Sequence, residues 1–250
     1  MYPLGGQTSL YFGLPAKVEG VGLSTVELNN VIDFPARDMT VTVEAGITMS
    51  KLAETLAVER LRLPVDVPQS STATLGGVVA TNFNGPRRYG TGTIRDYVIG
   101  ISAIDGTGTP FKGGGRVVKN VAGYDFCKLL TGSMGTLGVI SKLTLKLTPI
   151  PASFRILTCT PNSLENAESL LGELVRSNVT PSAVELVSGT RWTDQLQGSA
   201  SDLHLVVALE GTELETAWMS VQLAKEWRES GIRFVEEFTG ESADSLWTQL

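Results

Sequence analysis

Apolar and polar positions alternate through MTVTVEAG (residues 39–46) and the run stops at Gly46, the pattern of a half-buried strand. TMSKLAETLAVERL follows at helical spacing, with Leu52 and Leu56 beside Ala53 and Ala57 behind a Thr or Ser cap. Residues 96–114, DYVIGISAIDGTGTPFKGG, read as a hairpin that turns at Gly106 and Gly108. DFCKLLTGSMGTLG predicts a short helix broken at Gly132. VISKLTLKL (139–147) alternates apolar residues with Lys142, Thr144 and Lys146, which predicts an edge or half-exposed strand.

Past residue 150 the rhythm changes. FRILTCT, SAVELVS, LHLVVALEG and IRFVEEF are strand-like. PNSLENAESLLGELVRSN places Leu164, Ala167, Leu170, Leu171 and Leu174 on one helical face. TELETAWMSVQLAKEWRESG opens with a Thr212/Glu215 capping box and closes at Gly231, and SADSLWTQL begins another helix. The order β-α-β-β-α-β is the split βαβ pattern of a ferredoxin-like layer. Between the halves, LTPIPAS (147–153) carries Pro149 and Pro151, a stiff boundary. Of 27 glycines, 21 precede residue 150, so the first half is where a ligand is to be sought.

Composition narrows the function. The net charge is −6 and no Lys/Arg cluster exceeds Arg87-Arg88, which points away from nucleic acid. Cys127 and Cys159 match no zinc spacing and read as small buried hydrophobes. His204 is the single histidine, so no protein-built metal or iron–sulfur site is expected. The start has neither the charged nor the apolar region of a signal peptide. No apolar run approaches the ~20 residues of a spanning helix, so no transmembrane segment is expected and the protein reads as cytoplasmic.

Three glycine-rich loops stand out: PLGGQTSL (3–10), PQSSTATLGG…NFNG (68–85) and GSMGTLGVI (132–140). None is a P-loop, and the G-x-x-G-x-x-G spacing of the third is not the Rossmann fingerprint. Turns of this kind can instead hold an anion on successive backbone N–H groups without Lys or Arg. Thr74 is placed to cap a short helix whose N–H groups would face a phosphate, with Thr8 and Ser70 adding hydroxyls. The plainer reading, glycines in ordinary turns, stays open for the first loop taken alone.

The segments LPVDVPQSSTATLGGVVATNFNGPRRYGTGTIRDYVIG and GGRVVKNVAGYDFCKLLTGSMGTLGVISKLTLKLTPIP resemble the FAD-linked oxidase family, with its vanillyl-alcohol oxidase type FAD-binding domain. Within it they are most similar to the FAD-binding, GlcE-type subunits of bacterial glycolate oxidase, kin to D-lactate dehydrogenases. The resemblance runs from residue 3 to about 151. It implies an α+β fold: an N-terminally shortened FAD-binding domain over 1–150, lacking the usual first βαβ unit, then a ferredoxin-like cap on the substrate side over 151–250, expected to be incomplete. It implies that Gly5, Gly6, Gln7 and Thr8 wrap the FAD pyrophosphate. Thr74, Gly76 and Gly77 would lie along the cofactor, with Gln69, Ser70, Ala80 and Asn82 beside them. Gly135, Gly138, Val139 and Ile140 would line its other side. The first loop has no histidine, so the FAD is expected to be non-covalent.

The implied activity is oxidation of small 2-hydroxy acids by hydride transfer to flavin. The implied partners are a catalytic flavoprotein subunit and an iron–sulfur subunit of a glycolate oxidase-like complex, cytoplasmic or peripheral to the inner membrane through them. The relatives that act alone carry base and metal-binding histidines in the second domain. Here His204 sits in an alternating strand and reads as an ordinary strand histidine. No catalytic residue is assigned, and a non-catalytic electron-relay or scaffold subunit is the alternative. Arg88, Arg95 and Asp96 either pair to fix their loop or turn an arginine to an acidic substrate. Asp125 is expected to cap the next helix; Lys119, Asn120 and Tyr124 either pack or approach the flavin.

Overall fold

Two antiparallel sheets organise the chain, of which the computed structural model describes residues 1–115, 124–192, 195, 196, 199 and 202–250. Residues 1–85 and 92–150 form one compact unit, and residues 86–91 and 151–250 the other. The first unit runs β1 (Tyr2–Leu4), β2 (Gly22–Ser24), β3 (Val31–Asp33), β4 (Thr40–Glu44), α1 (Met49–Ala57), β5 (Leu61–Arg62) and α2 (Leu75–Thr81). After α3 (Arg88–Thr91), which belongs to the second unit, it continues with α4 (Ile94–Tyr97), β6 (Val98–Ile104), β7 (Pro110–Gly114), α5 (Phe126–Leu130), β8 (Val139–Lys146) and β9 (Thr148–Pro149).

The main sheet of this unit has the order β3-β4-β8-β6-β7, every neighbour antiparallel. Its period-two pattern explains the packing. Val41 and Val43 of β4 lie opposite Leu145 and Leu143 of β8 and are fully buried under Leu52 and Leu56 of α1 and Leu75 and Val79 of α2. Full burial of each such side chain contributes about 1.5–3 kcal/mol. On the opposite face the hydroxyls of Thr42 and Thr144 meet at 3.0 Å. β8 is therefore the centre of the sheet and not its edge; Lys142 and Lys146 alternate because one face of a central strand stays polar. In α1 the buried stripe is Met49, Leu52 and Leu56, while Ala53 and Ala57 face outward. β1 and β2 form a separate parallel pair.

The second unit contains β10 (Ser153–Cys159), α6 (Leu164–Arg176), β11 (Ala183–Val187), β12 (His204–Gly211), α7 (Glu213–Glu229), β13 (Val235–Thr239) and α8 (Glu241–Trp247). The strand order β11-β12-β10-β13, all antiparallel, is the ferredoxin-like arrangement. One sheet face packs Leu157, Leu205, Val207 and Leu209 against Leu170 and Leu174 of α6 and Leu223 and Trp227 of α7. The other packs Ile156, Val206 and Ala208 against Trp192, Leu196 and Leu246. Leu164, at the start of α6, stays exposed outside this stripe. The Thr212/Glu215 capping box opens α7. Gly231, at φ +87°, closes it with Gly231 N–H donating to Arg228 O and Ile232 N–H to Trp227 O.

Residues 86–91 join this second unit by specific contacts. Gly90 N–H donates to Ser182 O at 3.0 Å. Arg87 Nε meets Glu210 Oε1 at 2.7 Å, and its guanidinium lies 4.3 Å from the Trp247 ring centre and 5.4 Å from that of Phe154. Among the described residues no helix is long and apolar enough to cross a membrane.

Candidate functional site

The first loop leaves β1 through Gly5 and Gly6, and both glycines are there for close approach. A Cβ on Gly5 would stand 2.2 Å from Thr74 Oγ1, and one on Gly6 would stand 1.8 Å from the Thr72 carbonyl oxygen. Gln7 follows in the left-handed region at φ 59°. Among the described residues no hydrogen bond engages the backbone N–H of Gly5, Gly6, Gln7 or Thr8. A turn with several free N–H groups in succession is a ready anion cradle.

The second loop differs. Thr74 caps α2 as expected, its Oγ1 accepting from Gly77 N–H at 3.3 Å. The other leading amides are already used: Leu75 N–H donates to Ile47 O at 2.9 Å and Gly76 N–H to Ala45 O at 2.7 Å. The N-terminus of α2 is thus sewn to the end of β4, and the expected phosphate-facing amides are not free. Gly76 permits the join, since a Cβ there would come within 2.9 Å of Ala45. The third loop is tied to α2 in turn, with Gly132 N–H on Val79 O (3.0 Å) and Met134 N–H on Ala80 O (2.8 Å). Gly135, at φ +70°, brings it against Pro3 of β1, 3.2 Å from a would-be Cβ.

The three loops, laced together, wall a cavity of about 780 Å³, within the usual range for a small-molecule or cofactor site. Gly5, Gly6, Gln7, Thr8, Thr74, Gly76, Gly77, Ala80, Gly135, Gly138, Val139 and Ile140 all line it. Gln69, Ser70 and Asn82 do not. Gln69, at φ 54°, accepts from Thr72 and Ala73 N–H through its carbonyl. Ser70 is exposed and its carbonyl accepts from Ser50 N–H. Asn82, at φ 51°, ends α2. These three shape the second loop from behind. Leu10, Phe12, Leu14, Ala16, Thr25, Thr81 and Thr136 also line the cavity. The apolar residues after the first loop were the available signal for several of them. No described lining residue carries a Lys, Arg, Asp, Glu or His side chain.

The titratable groups singled out in the sequence lie elsewhere. Asp96 accepts the N–H and hydroxyl of Thr93, both at 2.8 Å, and these bonds, the backbone one first, hold its carboxyl below the usual range. It fixes the start of α4. Arg87, the neighbour of the suspected Arg88, makes the buried ion pair described above. Asp125 caps α5 through Lys128 N–H at 3.0 Å, which lowers its pKa. Tyr124 is exposed beside Phe126. Lys119 and Asn120 lie outside the described residues. Burial raises the Cys127 and Cys159 thiols to about 11 and about 12, which leaves them unreactive at neutral pH. His204 is 3% exposed, with Nδ1 3.4 Å from Thr160 Oγ1, and burial lowers its pKa against the opposing charges of Asp202 and Glu236. Among the described residues no group of three or more His, Cys, Asp or Glu side chains could share a metal ion.

The cavity residues fit FAD in one checkable respect: free amides and hydroxyls line a space where a glycine Cβ would collide with the opposing chain. Comparison with known proteins agrees. Residues 1–114 match the FAD binding domain family. The chain is similar to a D-lactate dehydrogenase of Archaeoglobus fulgidus, 33% identical over 217 residues, covering 82% of this chain and 47% of that protein. It is also similar to the glycolate oxidase subunit GlcE of Escherichia coli K12, 34% identical over 148 residues, covering 59% and 42%. It thus spans less than half the length of each of these curated relatives. The solved structure of an alkyldihydroxyacetonephosphate synthase, a vanillyl-alcohol oxidase type fold, superposes with a TM-score of 0.80 at 18% identity, over 99% of this chain and 52% of that one. With the FAD binding domain matched over the first two of the three cavity-forming loops and a D-lactate dehydrogenase relative aligned along 82% of its length, the chain belongs to the FAD-linked oxidase family.

Proposed function

We propose that the chain holds FAD non-covalently in this cavity and serves as the FAD-binding subunit of a glycolate oxidase-like complex that oxidises small 2-hydroxy acids. In this reading residues 1–150 are the FAD-binding domain and 151–250 the cap on the substrate side. The observation that carries it is the row of N–H groups from Gly5 to Thr8, unbonded among the described residues, in a loop that lines a cavity without charged side chains. Such donors would hold the pyrophosphate, and Gly76, Gly77 and Ala80 would let the cofactor lie flat along α2. Bound FAD supplies a two-electron acceptor for the hydride on the substrate's α-carbon. Non-covalent attachment is supported by a lining without His or Cys among the described residues. The relatives named as D-lactate dehydrogenase and as a glycolate oxidase subunit support the substrate class and a multi-subunit setting. A catalytic flavoprotein subunit and an iron–sulfur subunit are the partners we assign.

A second reading, a relay or scaffold subunit that does not oxidise substrate itself, is favoured by one observation. Removing the hydroxyl proton of a 2-hydroxy acid calls for a base within reach. Among the described residues no His, Asp, Glu, Lys or Cys side chain lines the cavity, the Tyr2 hydroxyl there is spent donating to Val18 O at 2.7 Å, and His204 is buried in the second unit's sheet. The deciding experiment is the visible spectrum of the purified chain with FAD, then with glycolate or D-lactate. A flavin spectrum bleached by substrate is the expected result for the first reading. A flavin spectrum that bleaches only after partner subunits are added favours the second, and a chain that takes up no FAD overturns both.

A further inference from the structure

The floor and the rim of the cavity are built differently. The floor is made by the second and third loops, joined by hydrogen bonds, and the first loop packed tightly on the second, whereas residues 9–20 run along the rim with every residue from Leu10 to Gly20 exposed. Within this segment Ser9, Leu10, Phe12, Gly13, Leu14 and Ala16 line the cavity. The chain turns at residues 8–11, where Phe12 N–H donates to Ser9 O, and these apolar side chains border the cavity on the far side of that turn. Tyr11, between them, is 99% exposed. Yet these side chains are themselves 60% (Leu10), 51% (Phe12) and 85% (Leu14) exposed, so half or more of their surface is uncovered.

The segment is also sparsely tied. Among the described residues its hydrogen bonds are Phe12 N–H to Ser9 O and Tyr2 Oη–H to Val18 O. The Phe12 ring rests against Phe83 at 6.4 Å between centres. Gly13 holds the left-handed conformation, φ +79°, with nothing packed within 4 Å of where a Cβ would stand. Few bonds and much exposed backbone mark the low-stability end of a fold, from which closing elements are drawn.

We infer that residues 9–20 are an apolar lid that folds over the cavity when it is filled, burying Leu10, Phe12 and Leu14 against the occupant. The inference rests on the proposed cofactor reading, since FAD is the occupant used to test it. Closure would exclude water above the bound cofactor and slow its release.

Trypsin gives a direct readout, because Lys17 lies inside the lid and Arg37 is the next cleavable residue. Cleavage after Lys17 is expected to slow at least about tenfold at saturating FAD, while cleavage after Arg37 changes little. Lys17→Gln identifies the cut by abolishing it. Leu14→Ser, at a site too exposed to matter for folding, is expected to keep the bound flavin's spectrum but release flavin several-fold faster and lose most of the protection. If the spectrum shows bound flavin and Lys17 is cut as fast as before, or Lys17 and Arg37 are protected equally, the lid is overturned and the cofactor reading stands. If no flavin binds, both fall.

Discussion

Glycine is used in opposite ways by the two units. In the first, a Cβ on Gly6, Gly46 or Gly76 would lie 1.8, 1.9 or 2.9 Å from a backbone carbonyl oxygen of Thr72, Thr25 or Ala45. The missing side chain is what lets separate stretches of backbone touch. In the second, Gly172, Gly189, Gly231 and Gly240 have nothing within 4 Å, so most serve as turns and caps. The exceptions among the described residues are Gly211, whose Cβ would meet the end of the Glu215 side chain at 2.9 Å, and Gly90, whose Cβ would meet the backbone at Pro181 O at 2.7 Å; Gly90 lies on the segment that leaves the first unit's run of chain to pack into the second. Close approach of backbone to backbone is thus concentrated in the first unit, the walls of the cavity included, and where the chain crosses over.

The sharpest way to break this contrast is Gly6→Ala. The new methyl must displace the Thr72 carbonyl, a backbone group with no rotamer to escape into, and we expect a loss of about 3 kcal/mol. Flavin retention should fall with it, and hydrogen exchange in β4 and α1 should rise. All four tryptophans, 192, 218, 227 and 247, lie in the second unit, so tryptophan fluorescence reads that unit alone. Its midpoint should move much less than the exchange signal. Unchanged flavin binding in Gly6→Ala would show that the first loop does not need its tight contact with the second.

Next in size is Glu210→Ala. It removes the carboxylate 2.7 Å from Arg87 Nε while leaving the guanidinium on Trp247 and Phe154. Breaking a fully buried pair costs about 3–5 kcal/mol; this one keeps some solvent access and its aromatic contacts, so about 2 kcal/mol is expected. In a unit of this size that lowers the tryptophan-monitored midpoint by about 10 °C. No shift would mean that residues 86–91 contribute nothing to the stability of the second unit.

Neither effect was readable along the chain, and the reason is the same for both. Local signals were legible: the Thr212/Glu215 box, the Thr74 cap, the Gly231 stop and the hairpin at Gly106 and Gly108 all appear where the residues placed them. They depend on neighbours a few positions away. The split βαβ order was legible for a related reason, since each of its elements has its own periodicity. What could not be read is which distant group consumes a donor or charge. Nothing in the sequence tells Arg87 from Arg88, because Glu210 and Trp247 are contacts of the folded chain. The amides of Leu75 and Gly76 looked free for a ligand until Ile47 and Ala45 took them. β8 looked like an edge because alternation reports one polar face and says nothing of lateral neighbours. The cavity was half legible: its glycines marked the three loops, whereas the apolar residues after Ser9, though plain in the sequence, carry no spacing that ties them to a cavity.

The smallest effect tests the comparison from the other side. Gly172 sits in the interior of α6 with nothing within 4 Å of a would-be Cβ and without a positive φ. A glycine there costs helix stability through its backbone freedom in the unfolded chain, and nothing in the fold repays it. Gly172→Ala should therefore stabilise the second unit by about 0.5–1 kcal/mol, raising the tryptophan-monitored midpoint by a few degrees. The same chemical change at Gly6 is expected to do the reverse, and severalfold more strongly. If both variants lowered stability, free space around a glycine would be a poor guide to its role in this chain. If both raised it, the first loop would relax away from Thr72 at little cost, and the tight wall of the cavity would lose its explanation.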